Sequence, residues 1–355
     1  MAEATLAIMM LGLSAYAVFG GADLGAGLWD LTAGGAHRGG RLRGMVQRSM
    51  SPVWEANHVW LIFVLVIFWT AFPVVFGSVM STLYVPLVLA GAGLILRGLA
   101  FALRGQAGTI REARALGGLF ALSSLLVPFF LGAAIGAIAS GRVPVGNAAG
   151  APWGSWVNPT GILVGLLAVG TGAFLSAVFL AADSGRAGAP DLQEAFRRRA
   201  LASGALTGAL AIGGLAIVRS DARDLYDGLT SGAGLAAVAV SGVCGIATLA
   251  LLLTRRYGLA RVSAGGAVAA ITAGWALAQS PYLLPGAATF HDSAANDTTL
   301  RALLVSLLVG AVLLVPSLTY LYRLVLRGDL DQELEPLDQR FRPLTASDDR
   351  PESAA

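Results

Sequence analysis

Gly20-Gly21-Ala22-Asp23-Leu24-Gly25-Ala26-Gly27 lies inside an apolar first segment, residues 5–29, in which Asp23 is the one charged side chain. A segment of this length can cross the roughly 30 Å hydrocarbon core as a helix of about 20 residues, so the acid enters the membrane. A second acid, Glu55, opens the next apolar segment in Ser51-Pro52-Val53-Trp54-Glu55-Ala56-Asn57-His58-Val59-Trp60. Ionisable groups at bilayer depth cost several kcal/mol by roughly any scale, and they tend to face a bundle interior or a water path that serves ions or protons.

Working outward, the whole chain reads the same way. Of its 355 residues 56% are hydrophobic and 13% charged, with a mean hydropathy of +0.71, too apolar for a water-soluble domain to hide. Nine segments are long and apolar enough to span: 5–29, 55–77, 80–103, 117–139, 158–182, 201–218, 230–253, 262–280 and 301–325. The expected fold is therefore an all-α integral membrane protein of nine transmembrane helices. Residues 1–328 form one membrane domain and 329–355 a polar tail. Residues 77–81 read as a tight turn that makes the second and third spans an antiparallel hairpin.

All basic residues are Arg, and their placement orients the chain. The connections after the first, third, fifth and seventh spans hold Arg38, Arg41, Arg43 and Arg48, then Arg104, Arg111 and Arg114, then Arg186 and Arg197 to Arg199, then Arg255, Arg256 and Arg261. The positive-inside rule then predicts an outer N-terminus and a cytoplasmic C-terminus. The first segment lacks a basic region ahead of Leu6 and is expected to persist as a helix. The single Cys244 excludes a disulfide framework or a multi-cysteine metal site.

On this orientation Asp23 lies two helical turns before Asp30 on one face, about 10 Å from the cytoplasmic end at ~1.5 Å per residue. Glu55 starts the second helix from that side, so both acids mark an inward-leading mouth. The alternative for each is structural: a carboxyl paired with Arg, or, for Glu55, an acid favoured by the helix dipole. The glycines around Asp23 also suit close helix contacts of the small-xxx-small type. Arg97 falls late in the third span, where it can snorkel to the surface with Arg104 or serve an entrance carboxyl as counter-ion.

The run Gly21-x-Asp23-x-Gly25-x-Gly27, the run Pro52-x-Trp54-Glu55-x-Asn57-x-Val59-Trp60, then Phe72-Pro73, Tyr84 and Arg97-Gly98-x-Ala100-Phe101 resemble subunit II of cytochrome bd-type quinol oxidases. Ser280-Pro281-Tyr282, Pro285, Asp292 and Leu300-Arg301 resemble that family's last outer loop and ninth helix. Between residues 110 and 260 the likeness rests on topology. Glu55 stands where some members have Asp, and His291 stands where many have Trp.

The resemblance implies a heterodimer in the bacterial cytoplasmic membrane. Its partner, a haem-bearing subunit I, holds two b-type haems and one d-type haem and oxidises quinol while dioxygen is reduced to water; there is room for a small accessory subunit. It further implies a hydrophilic proton route through subunit II acids, whose motif positions here are Asp23 and Glu55, with His58 beside them and Asn57 and Arg97 in support. Membrane lipid is the remaining partner, and nucleic acid is not one.

The residues alone leave rivals. Haem needs an axial His, Met, Cys or Tyr, and the histidines are His37, His58 and His291; His58 is placed best, yet helix-start histidines often bond a neighbouring carboxyl or carbonyl, and the resemblance assigns the ligands to the partner. No haem or metal is expected in this chain. Glu55-x-x-His58 is half of a di-iron motif whose second copy is missing. A multi-span secondary transporter would show interrupted helices repeated in two halves, and Pro73, Pro86, Pro128 and Pro316 make no such pattern. A purely structural partner of the haem subunit shares all the same residues.

Overall fold

The computed structural model describes residues 1–34, 36–50, 53–104 and 106–327. The helices are α1 (Ala2–Ala15), α2 (Gly21–Leu31), α3 (Ala36–Met50), α4 (Trp54–Ala71), α5 (Pro73–Thr82), α6 (Tyr84–Arg104), α7 (Ile110–Ala139), α8 (Pro159–Arg186), α9 (Pro190–Asp221), α10 (Arg223–Leu229), α11 (Gly232–Leu253), α12 (Tyr257–Gln279) and α13 (Asp297–Arg327). A π-turn, Tyr16–Gly20, joins α1 to α2, so that Ala2–Leu31 is one long span. Among the described residues nine helices have the length and apolarity to cross a membrane, as the sequence predicts. The tail from 329 onward lies outside the described residues.

Local chemistry sets the helix ends. Asn158 caps α8 by accepting a hydrogen bond from the Gly161 amide at 2.8 Å, with Pro159 in the first turn. Thr109 accepts from the Glu112 amide at 3.2 Å while the Glu112 carboxylate accepts from Gly108, a capping-box arrangement at the start of α7. Pro73 stops α4, because a proline offers no amide to the ladder and pushes the preceding residue, Phe72, out of helical geometry (φ −133°, ψ 59°).

That stop corrects the expected turn at 77–81. The second span ends at Ala71, and residues 77–81 lie within the short helix α5, whose Ser78 and Ser81 hydroxyls accept hydrogen bonds from the Gly146 and Ala148 amides. With α5 inserted, α4 and α6 meet through long side chains, as where Trp54 touches Phe101 with ring centroids 5.4 Å apart. The Arg-rich stretch after the first span is likewise a helix, α3. Its Leu42, Met45, Val46 and Met50 recur at helical spacing and are buried, while Arg41 faces outward and binds both oxygens of Asp191.

Half of the α7 and α8 spans is buried against 6% of α13, which makes the α7–α8 pair the centre of the bundle. Glycines allow this closeness. A Cβ on Gly136 of α7 would lie 2.8 Å from the Gly161 Cα of α8, and one on Gly132 would lie 2.7 Å from the Val164 carbonyl oxygen. The same device seats α2 on α8, where a Cβ on Gly25 would be 1.9 Å from the carbonyl oxygen of Gly172. In a membrane such backbone approach is a main source of helix association, since lipid tails compete with any larger apolar side chain. Trp29 fixes the register by donating its indole N–H to the Ala173 carbonyl at 3.0 Å.

Gly25→Ala should therefore destabilise the detergent-solubilised protein by at least the ~3 kcal/mol at the upper end for overpacking, because the obstacle is backbone. Gly310→Ala, where an added Cβ meets nothing within 4 Å, should leave the thermal midpoint unchanged. Equal midpoints for the two variants would contradict the packing.

Candidate functional site

Asp23 stands in the first turn of α2, just past the π-turn, with its side chain 1% exposed. The surfaces beside it are stripped to glycine: Gly25 lies against α8, and a Cβ on Gly27 would be 2.2 Å from the Cβ of Ser124 on α7. This bare surface lets a long side chain from α6 reach Asp23 along α7. That side chain is Arg97. Its guanidinium lies 5.0 Å from the Phe120 ring centroid, and its Nε donates to Ser124 Oγ at 3.0 Å.

The rest of the guanidinium fork turns to α2 and α4. Nη2 is 2.8 Å from Asp23 Oδ2 and also donates to the Asp23 backbone carbonyl at 3.2 Å. The carboxylate contact is a charge pair more than an aligned hydrogen bond, for neither Asp23 carboxylate oxygen accepts a bond of regular geometry. His58, one turn into α4, completes the cluster. Its Nε2 lies 3.4 Å from Asp23 Oδ2 and 3.4 Å from Arg97 Nη1. Asp23, His58 and Arg97, far apart in sequence, are thus brought together.

Glu55 and Asn57 take other positions. Glu55 is exposed in the first turn of α4, one turn from His58, and among the described residues no cation or donor pairs with its carboxylate. Asn57 is buried and accepts a hydrogen bond from the Tyr322 hydroxyl at 3.0 Å. Tyr322 stacks on Phe19 of the π-turn with ring centroids 5.4 Å apart, which ties the end of α13 to the site. Arg97 does not snorkel. Neither does Arg104, which is buried and donates to Asp30 Oδ1 at 3.1 Å. Each acid and its Arg are separated by 74 residues, and each helix advances seven residues between pairs. Spacing of this kind needs two helices running parallel and in register, as the first and third spans of an alternately crossing chain do.

Sequence reading missed Ser124 and Tyr322, which carry no motif, and Tyr16. The ring of Tyr16 lies 6.1 Å from that of His58, and Gly20 leaves room for it, since a Cβ there would be 2.6 Å from the phenol ring. The surroundings of His58 do not fit a haem on Nε2, because a carboxylate and a guanidinium occupy that side at 3.4 Å each. His291 is exposed beside Glu3 at 3.7 Å, and the side chain of His37 lies outside what is described. Among the described residues no group of three His, Cys, Asp or Glu is placed to hold a metal.

A nine-span helical bundle with a buried Asp–Arg pair and a half-buried His between its first, second and third spans defines a polytopic membrane subunit built around internal charge. The chain belongs to the cytochrome bd terminal oxidase subunit II family, whose pattern it matches over residues 1–325. Its structure is similar to that of the bd oxidase from Geobacillus thermodenitrificans, with a TM-score of 0.72 and 28% identity over 92% of this chain and 99% of that one. It is 23% identical to the putative cytochrome bd menaquinol oxidase subunit II of Bacillus subtilis strain 168, over 88% of this chain and 92% of that protein. Identity reaches 30% with the cytochrome bd-I ubiquinol oxidase subunit 2 of Escherichia coli K12, but that match spans 44% of this chain and 42% of the relative. The match to subunit 2 of the Bacillus subtilis cytochrome bd ubiquinol oxidase spans 27% of that protein.

Removing one member of a buried pair strands the other charge at a cost of about 3–5 kcal/mol, whereas replacing both is often neutral. Arg97→Met should lower the thermal midpoint sharply, and the double change Asp23→Asn with Arg97→Met should recover most of the loss. Arg97→Lys should recover little, because one ammonium cannot reach Ser124, the Asp23 carbonyl and the carboxylate together. Independent, additive losses in the double variant would show that the two residues are not coupled.

Proposed function

We propose that this chain is subunit II of a bd-type quinol:oxygen oxidoreductase, works only with a haem-bearing subunit I, and supplies that enzyme with protons. Family membership supports the first two parts. The observation that carries the third is Asp23, a carboxylate held inside the bundle between Arg97 and His58, one helical turn of α4 from the exposed Glu55.

The haems of the partner supply electron transfer from quinol and the reduction of dioxygen. This chain contributes exchangeable groups. Glu55 takes a proton at the Arg-rich end, which we assign to the cytoplasm by the positive-inside rule. It lies on the same face of α4 as His58 three residues on, so the proton passes to the imidazole. Nε2 then offers it to Asp23 Oδ2. Arg97 balances the Asp23 charge, so the cluster sits in the bundle without a lone carboxylate. In this reading two b-type haems and one d-type haem reside in subunit I, and the complex lies in the bacterial cytoplasmic membrane.

A second, purely structural reading has its own support: the Asp30–Arg104 pair repeats the Asp23–Arg97 pair one heptad on, as a device for locking helices would. The two separate in the purified oxidase. A relay needs groups that exchange protons, so Glu55→Gln and Asp23→Asn should slow quinol oxidation strongly while the complex keeps its haem, and Glu55→Asp should be mild. Loss of haem and partner together with activity would support the structural reading, and full activity in Asp23→Asn would remove this acid from any proton path.

A further inference from the structure

Around the Asp23 cluster, three groups have polar atoms that are buried and lack a regular hydrogen-bond partner among the described residues: the hydroxyl of Tyr16, Nδ1 of His58 and the carboxylate of Asp23. Buried polar groups are nearly always hydrogen-bonded, and leaving one unpaired costs about 1–3 kcal/mol. Two of the three sit on facing rings. Tyr16 is 7% exposed, and its ring is tilted 51° to that of His58 at 6.1 Å.

The imidazole explains why this matters. Nε2 faces both the Asp23 carboxylate and the Arg97 guanidinium, so a proton delivered to His58 from elsewhere has to arrive at Nδ1. Nδ1 does not bond Tyr16 directly. The two unpaired atoms belong to rings whose centroids are 6.1 Å apart, and an ordered water is the usual partner of buried polar groups that the protein itself leaves unpaired.

We infer that Tyr16 and His58 Nδ1 together bind one ordered water, and that this water, positioned by the Tyr16 hydroxyl, is the proton donor to His58. The inference rests on the proton-supply function proposed above and adds a residue to it. In the step, which starts from the neutral imidazole with its one proton on Nε2 and Nδ1 bare, an O–H bond of the water breaks as an N–H bond forms at Nδ1, and the Nε2–H bond breaks as that proton passes to Asp23 Oδ2. The water regains its proton from the side of Glu55, and nothing is oxidised or reduced. Tyr16 is a positioning residue: it holds the donor and leaves the imidazole to carry the proton.

The π-turn is what presents the phenol here. Its wider turn breaks the regular facing of α1 and α2, and Gly20 clears the space into which the ring folds. An orphaned hydroxyl also makes the test sharp. If Tyr16 only filled space, Tyr16→Phe would remove an unsatisfied buried polar group and leave the protein as stable or more so.

The test uses the purified two-subunit oxidase with Tyr16→Phe, His58→Gln and the double variant, measuring haem content, turnover and the ratio of turnover in H2O to that in D2O. Tyr16→Phe should keep its haem and thermal midpoint, lose turnover several-fold and raise the isotope ratio, and it should add no further loss in the His58→Gln background. Unchanged turnover and isotope ratio in Tyr16→Phe, with Asp23→Asn still slow, would overturn the role of Tyr16 and leave the proton-supply function standing. Full turnover in Asp23→Asn would remove that function itself. An additional loss from Tyr16→Phe in the His58→Gln background would show that Tyr16 does not act through His58, and would also overturn the inference.

Discussion

The ion pair between Asp23 and Arg97 is the constraint around which the first three spans are arranged. Both side chains are almost fully buried, 1% and 2% exposed, and a carboxylate alone at that depth would be prohibitive. Its counter-charge therefore has to come from a fixed height on another helix. Arg97 can supply it only if α6 runs parallel to α2 and in register with it, and the Asp30–Arg104 pair seven residues on imposes the same register a second time. Two such pairs tolerate no slip of one helix along the other, because a shift that broke one would strand charge in both.

Charge alone would not bring these helices into place. The guanidinium needs an open lane, and the glycines provide it by letting α2 press its backbone onto α8 at Gly25 and Gly172 and onto Ser124 of α7 at Gly27. Ser124 then does two things. Its hydroxyl donates to the Phe120 carbonyl at 2.6 Å, which leaves an oxygen lone pair to accept from Arg97 Nε. The small-residue pattern and the buried ion pair are thus one device: backbone proximity makes the channel for the side chain, and the side chain holds the backbones in register.

Much of this was legible in the sequence, and the parts that were not have definite causes. The nine spans follow from length and apolarity, and Asp23 announces itself as a charge inside one of them. Arg97 was ambiguous because a position late in a helix is compatible with both snorkelling and pairing, and only the third dimension shows Asp23 within reach. The break at Phe72 was signalled by Pro73, yet the apolar run continues through α5, so hydropathy carried the second span too far. Leu42, Met45, Val46 and Met50 held the amphipathic pattern of α3 in plain view, masked by the surrounding arginines. Tyr16 was out of reach for a deeper reason: facing rules assume 3.6 residues per turn, and the π-turn breaks that count just before the site.

The position of His58 gives the cluster a property that an Asp–Arg pair alone lacks. Its Nε2 is 3.4 Å from a negative oxygen and 3.4 Å from a positive nitrogen. With an effective dielectric near 20, each unit interaction at that distance is worth about 5 kcal/mol, and the two have opposite sign. One ring nitrogen thus lies between opposite charges at the same distance, which a bare ion pair does not provide. Under the proton-supply proposal, this placement between opposite charges, on a side chain that keeps 20% of its surface exposed, is what singles out His58 as the carrier.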